Sequence, residues 1–170
     1  MAEKSTTTMP VLDLSVLRKQ RIQIDLGDDK EHILEINTTD MNVVTRLSDG
    51  YNNLVELDKK VNEIGTATDD IEETDTNEQI KSKLESFANR LRDIDSRMRE
   101  IIDYIFDTNA SEVCCPNGSM YDPIAGKLRY EHIVDALMTL YTDTLTTEMQ
   151  KTKDRIKSHT AKYTKKRKSH

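Results

Sequence analysis

Tryptophan is absent from this chain, and two phenylalanines and six tyrosines bring the aromatics to only 5% of 170 residues. The apolar share is 35%, while charged residues make up 33%. So little bulky apolar material cannot fill a layered sheet-and-helix core. It can coat one stripe on each of several long helices. Glycine occurs five times and proline three times. The few glycines form neither a phosphate-cradling loop nor the turn that presents a serine nucleophile. No run approaches the roughly 20 apolar residues of a membrane span. The opening MAEKSTTTMP also lacks the apolar stretch of a secretion signal. The expectation is a cytoplasmic protein with no membrane partner.

Cysteine is nearly absent too. Cys114 and Cys115 are adjacent, whereas zinc ligands pair at roughly two to four residues' separation. The four histidines, His32, His132, His159 and His170, are scattered. There is no C-x-x-C, and a bridge between neighbouring cysteines strains the backbone. Both thiols are therefore expected to be reduced, metal-free and replaceable by Ser or Ala. Two calcium readings fail as well. The acidic run Asp69, Asp70, Glu72, Glu73, Asp75 and Glu78 lacks the EF-hand glycine and closing glutamate. A loop starting at Asp107 puts Glu112 where glycine is needed and Gly118 where glutamate is needed. No catalytic constellation remains. The chain is expected not to be an enzyme, with no cofactor, metal or catalytic residue.

What is present is charge, unevenly spread. Residues 151–170 hold nine cations, Lys151, Lys153, Arg155, Lys157, Lys162, Lys165, Lys166, Arg167 and Lys168, against the single acid Asp154. That is a net +8, which leaves −14 on the first 150 residues of a chain with formal charge −6. An acidic body with a basic tail suits a solvated tail that can fold back on the body, or a docking segment for an acidic partner or nucleic acid. Only Tyr163 could stack on a base, so nucleic acid is the disfavoured choice.

The chain divides into a disordered or extended segment at 1–19, one helical domain at 20–150 and the basic extension at 151–170. Ile22, Ile24 and Leu26 alternate with polar residues, Gly27-Asp28 follows, and Ile33, Leu34 and Ile36 come next. This predicts a β-hairpin over 20–36. Thr39 or Asp40 can cap a first helix over 40–64, whose apolar positions include Val44, Leu47, Tyr51, Leu54, Val61 and Ile64. Gly65 would stop it, and Gly50 weakens it.

Thr76–Gln79 matches a capping box and starts a helix over 77–107. Ile80, Leu84, Phe87, Leu91, Ile94, Met98, Ile101 and Ile105 follow at steps of four and three, a heptad seam. Ile102 and Phe106 widen the stripe in its second half, which should lie in the core. The narrow first half should face one helix, either the first helix of this chain or a partner's.

Between this helix and a third over 129–155 lies NASEVCCPNGSMYDPIAG. Pro116–Gly118 signals a turn, and Asp122-Pro123 to Gly126 reads as a single helical turn. Met120, Tyr121, Ile124 and Leu128 would pin this connection down over the end of the bundle. Beyond Met149 the third helix would run on as an exposed basic rod. The fold class is mainly α: three long helices in an elongated bundle with a small N-terminal hairpin.

Two blocks carry a likeness. EINTTDMNVVTRLSDGYNNL (35–54) and CCPNGSMYDPIAGKLRYEHIVDAL (114–137) resemble the tail assembly chaperones of long-tailed phages and prophages of Gram-positive bacteria. The resemblance covers about a quarter of the chain, and the layout matches over most of it. It implies a helper in virion assembly in the cytoplasm of the bacterial host. That helper would coat the tape-measure protein and recruit tail-tube subunits, with self-association into a homo-oligomer left open. It also implies that a frameshift near TKKRKSH could extend the product. A permanent tail or connector component and a nucleic-acid-binding regulator using the basic tail are the competing classes. The expected partner groove is Ile80, Leu84, Phe87 and Leu91, where an apolar helix could lie.

Overall fold

The computed structural model describes residues 12–67, 71–72 and 74–167. The proposed segment 1–19 falls mostly outside these residues, as do Asp69, Asp70, Glu73 and Lys168. So do the side chains of Ile64, Lys162, Lys165, Lys166 and Arg167.

After a short 3-10 turn at Ser15–Leu17, strands β1 (Gln20–Ile24) and β2 (His32–Ile36) pair antiparallel, with Ile22 opposite Leu34. Gly27 turns the chain between them at φ 72°, where a side chain would be strained. A lone hairpin is marginal in water, so it must lie on something. Here it lies on the helices: Leu34 and Ile36 are fully buried in the common core. The Thr108 hydroxyl donates to the Glu35 carbonyl at 2.7 Å, and Lys19 Nζ donates to the Asp107 carbonyl at 2.7 Å. The hairpin is thereby tied to the end of the second helix.

Helix α1 spans Asn42–Ala67. Asp40 Oδ1 accepts the Asn42 N–H at 2.9 Å, a side-chain cap on the first turn. Asp40 Oδ2 accepts Arg46 Nη2 at 2.8 Å, and Arg46 Nε donates to the Ile105 carbonyl at 2.9 Å. Burial alone would raise the Asp40 carboxyl. The Asn42 and Arg46 donors outweigh it and hold the group below its ordinary value. Such a carboxylate contributes stability that is complete above the unfolded value near 3.8 and is lost as pH falls through the lower folded one. Acid titration of folding should therefore show a stability loss below that value. Asp40→Asn should flatten it, and an unchanged acid limb would contradict this role.

The face that α1 buries keeps Leu47, Leu54 and Val61 of the expected stripe but is rotated away from two of its members. Val44 and Tyr51 are exposed, and Gly65 lies inside the helix rather than ending it. The buried stripe runs through Val43, Leu47, Gly50, Leu54, Leu57 and Val61, at steps of four and three. Gly50 occupies a seam position without a side chain, which hid the register. Tyr51 supplied a false substitute.

Helix α2 spans Asn77–Phe106 and opens with the capping box: the Gln79 N–H donates to Thr76, and the Thr76 N–H donates to the Gln79 side chain. It runs antiparallel to α1. A Cβ on Gly50 would meet Ile105 Cγ1 at 2.9 Å, while Lys60 and Glu63 share a hollow with Arg90 and Asp93. Ile94, Met98, Ile102, Ile105 and Phe106 are buried, so the wide half of the seam is the core. Asp107 ends the helix in the left-handed conformation at φ 50°.

A one-turn helix, α3 (Ala110–Cys114), follows. The segment expected to be a single helical turn is instead a second hairpin. Strands β3 (Pro123–Ile124) and β4 (Lys127–Leu128) pair around Ala125 at φ 49° and Gly126 at φ 82°. Positive φ at both turn residues matches the twist of the flanking strands, and so favours a hairpin over a helix.

Helix α4 runs from Arg129 to Arg167. Ile133, Leu137 and Tyr141 are buried, and the Tyr141 ring meets Phe106 with centroids 5.9 Å apart. The Tyr141 hydroxyl is buried without a hydrogen-bond partner, and its pKa is pushed up to about 12, chiefly by desolvation. From Thr146 to Ser158 every residue is exposed. The core thus ends near residue 145, somewhat before the expected 150, and the helix continues as a basic rod. At about 1.5 Å per residue, a helix of 39 residues is roughly 58 Å long.

Candidate functional site

The connection between α2 and α4 is ordered by three polar side chains on one face of α2. Asp95, Arg99 and Asp103 follow at steps of four, so helix geometry stacks them in a row. Arg99 Nε donates to Asp95 Oδ2 at 2.7 Å. Its Nη1 donates to the Cys115 carbonyl at 3.0 Å and its Nη2 to the Gly118 carbonyl at 2.8 Å. Asp95 Oδ1 accepts the Met120 N–H at 2.6 Å. Asp103 accepts both the N–H and the hydroxyl of Ser111, at 2.7 and 2.9 Å. The backbone groups of an irregular segment must be satisfied somewhere, and here α2 satisfies them. Gly118, at φ 101°, leaves space where a Cβ would come within 3.0 Å of Arg129 Nη2 and Asp122 Oδ2. Met120 is fully buried, with Tyr121 packed beside it, while Ile124 stays exposed.

The two cysteines are not equivalent. Cys115 is wholly buried, with its Sγ 3.6 Å from the Gly118 carbonyl. Cys114 is half-buried beside a shallow hollow of about 350 Å³ lined by Ile24, Leu26, Ile133 and Leu137. Burial, with Cys115 and Asp103 nearby, pushes the Cys114 pKa up to about 11. Its thiolate fraction near neutral pH is then about 100-fold below that of an ordinary thiol. Alkylation of native protein by iodoacetamide should be correspondingly slow and should accelerate on unfolding. Labelling at the rate of a small thiol would refute this assignment. The thiol, so protonated, is not poised as a nucleophile. Among the described residues no group of three or more His, Cys, Asp or Glu could hold a metal ion.

The four residues of the expected groove fall into two pairs. Phe87 and Leu91 are partly buried and pack against the core. Leu84 is 49% exposed, and Ile80 is half-buried at the helix start. Geometry accounts for the division. Glu63 sits beside Arg90 and Asp93, so the described part of α1, up to Ala67, accompanies α2 as far as Phe87 and Leu91 and not to Leu84 or Ile80. Lys83 Nζ donates to Asp75 Oδ2 at 2.6 Å, holding the acidic link against this end of α2.

In the basic extension, Lys151 pairs with Glu148 at 2.6 Å. Lys153, Arg155 and Lys157 are exposed on the helix. No helix among the described residues is long and apolar enough to cross a membrane. No sequence motif marks the loop-holding row Asp95, Arg99 and Asp103. Their same-face spacing was the available signal. No protein-family model, curated protein or solved structure matches the chain.

Proposed function

We propose that this chain is a tail assembly chaperone that binds the tape-measure protein and helps recruit tail-tube subunits during virion morphogenesis. The observation that carries the reading is that the α2 seam continues past the described part of α1 with its apolar side chains partly open. Ile80 and Leu84 continue the heptad beyond the α1 pairing, with Leu84 49% exposed. A long helical client exposes apolar stripes before its tube surrounds it, and helix-in-groove contact at this end could cover them. The −14 charge on the first 150 residues would keep such a complex soluble. The likeness of residues 35–54 and 114–137 to the chaperone family supports the same choice.

Substitution of Ile80 and Leu84 by Asp tests it. These positions lie outside the buried half of the seam, so the helical circular dichroism and melting should be kept. Capture of a tape-measure fragment should fall sharply, since each leucine-sized side chain buried at an interface contributes about 1.5–3 kcal/mol. Intact folding with intact capture would remove the groove from the mechanism. Purified virions separate the chaperone from a permanent tail component: the chaperone is absent from them, whereas a structural part appears at fixed copy number.

A further inference from the structure

From Thr146 to Ser158 α4 has no core to cover, yet this stretch is patterned. Leu145, Met149, Thr152 and Ile156 follow at steps of four, three and four, and the sequence continues the rhythm through His159 and Tyr163. This is the spacing of a coiled-coil seam. Met149 is 49% exposed and Ile156 56%. At its root the track joins an apolar hollow of about 280 Å³ where Met149 and Leu145 meet Met41, itself 61% exposed. An apolar path therefore runs off the body and along the rod.

The positions that flank this seam decide what can lie on it. They are Glu148, then Lys153 and Arg155, and by sequence Thr160, Lys162 and Arg167. From Lys153 onward every charged flanking position is cationic. Lys153 and Arg155 are exposed, and neither makes an ion pair among the described residues. In a coiled coil these positions choose the partner by charge. A second copy of α4 would bring together two segments that each carry a net +8 over residues 151–170, with Glu148 the one acid flanking the seam. Nucleic acid would use the cations and leave the apolar track in water. A membrane surface calls for a broad apolar face, whereas this track is one residue wide and contains Thr152.

We propose that the α4 extension is one half of a heterotypic coiled coil whose partner is an acidic amphipathic helix. That helix carries apolar residues at heptad spacing and Glu or Asp beside its seam. The surface sits at the opposite end of the α1–α2 pair from Leu84, and the proposal does not depend on the chaperone reading.

The test uses the full chain and two synthetic helices of three heptads. They share an apolar seam and differ in carrying Glu or Lys at the flanking positions. Fluorescence anisotropy at about 0.1 M salt should show the Glu helix binding at least about tenfold more tightly. Met149→Asp with Ile156→Asp should remove that binding while leaving the melting temperature of the body unchanged. Lys153→Glu with Arg155→Glu should reverse the preference toward the Lys helix. Equal or absent binding of the two helices by the unaltered chain overturns the proposal, and this comparison needs no variant to fold. Duplex DNA or phosphatidylserine vesicles serve as competing probes. Binding of either more tightly than the Glu helix, insensitive to Met149→Asp with Ile156→Asp, would also overturn it.

Discussion

Replacing Arg99 with Ala should lower folding stability by about 3 kcal/mol and loosen residues 109–122 while the long helices persist. Arg99 is mostly enclosed, as is its partner Asp95. Its guanidinium reaches Asp95 and the carbonyls of Cys115 and Gly118 at once. Truncation strands the Cys115 carbonyl and a largely enclosed carboxylate that still accepts the Met120 N–H, and takes a charged donor from the Gly118 carbonyl. The cost then spreads through packing, because Met120 and Cys115 are fully buried members of the core. Arg99→Lys keeps the charge but not the planar fork, and should recover less than half of the loss. Urea denaturation measures the stability. Amide exchange at Met120 and Ser111 reports the loosening. A variant as stable as the parent, with Met120 still protected, would show that the connection holds itself.

Gly50→Val should cost about 3 kcal/mol, the upper end of what overpacking a tight core usually costs. A Cβ at this position would lie 2.9 Å from Ile105 Cγ1 and 3.2 Å from Ile101 Cγ2, and Ile105 is fully buried. Ile105 cannot swing into solvent, although the partly buried Ile101 can give somewhat, so the α1–α2 separation must grow. Gly50→Ala separates the competing effects. On an exposed helix the change would stabilise by about 1 kcal/mol. Here the contact should outweigh that gain and leave the protein less stable. Chemical denaturation of both variants is sufficient. If Gly50→Ala raised the midpoint, the close approach at Ile105 would have to be relaxed in solution.

Gly50 also shows how a sequence can hide what a fold uses. Heptad rhythm is visible only where seam positions carry apolar side chains. The α2 seam shows it over eight successive positions, from Ile80 to Ile105. The α1 seam is interrupted by the residue that brings the helices closest, and the eye passes to Tyr51, which faces water. The segment at 109–126 was misleading for another reason. Proline after aspartate suits a helix start, yet Asp122 is engaged otherwise. Its Oδ2 accepts the Ser119 N–H at 3.0 Å and Arg129 Nη2 at 3.0 Å, while its carbonyl accepts the Arg129 N–H at 2.9 Å. Those contacts close a hairpin across Ala125 and Gly126.

Local chemistry alone determined the mainly helical class, the N-terminal hairpin, the capping-box start at Thr76 and the buried half of α2. It also determined the charge division between body and tail. Each of these follows from alternation, heptad spacing or a side chain close in sequence to the groups it satisfies. Tertiary structure decided which face α1 buries, which cysteine enters the core and where the groove residues divide. It also decided what holds the long connection. Those outcomes depend on partners far apart in the chain: Gly50 needs Ile105, Arg99 needs Gly118, and Leu84 lies past the described part of α1.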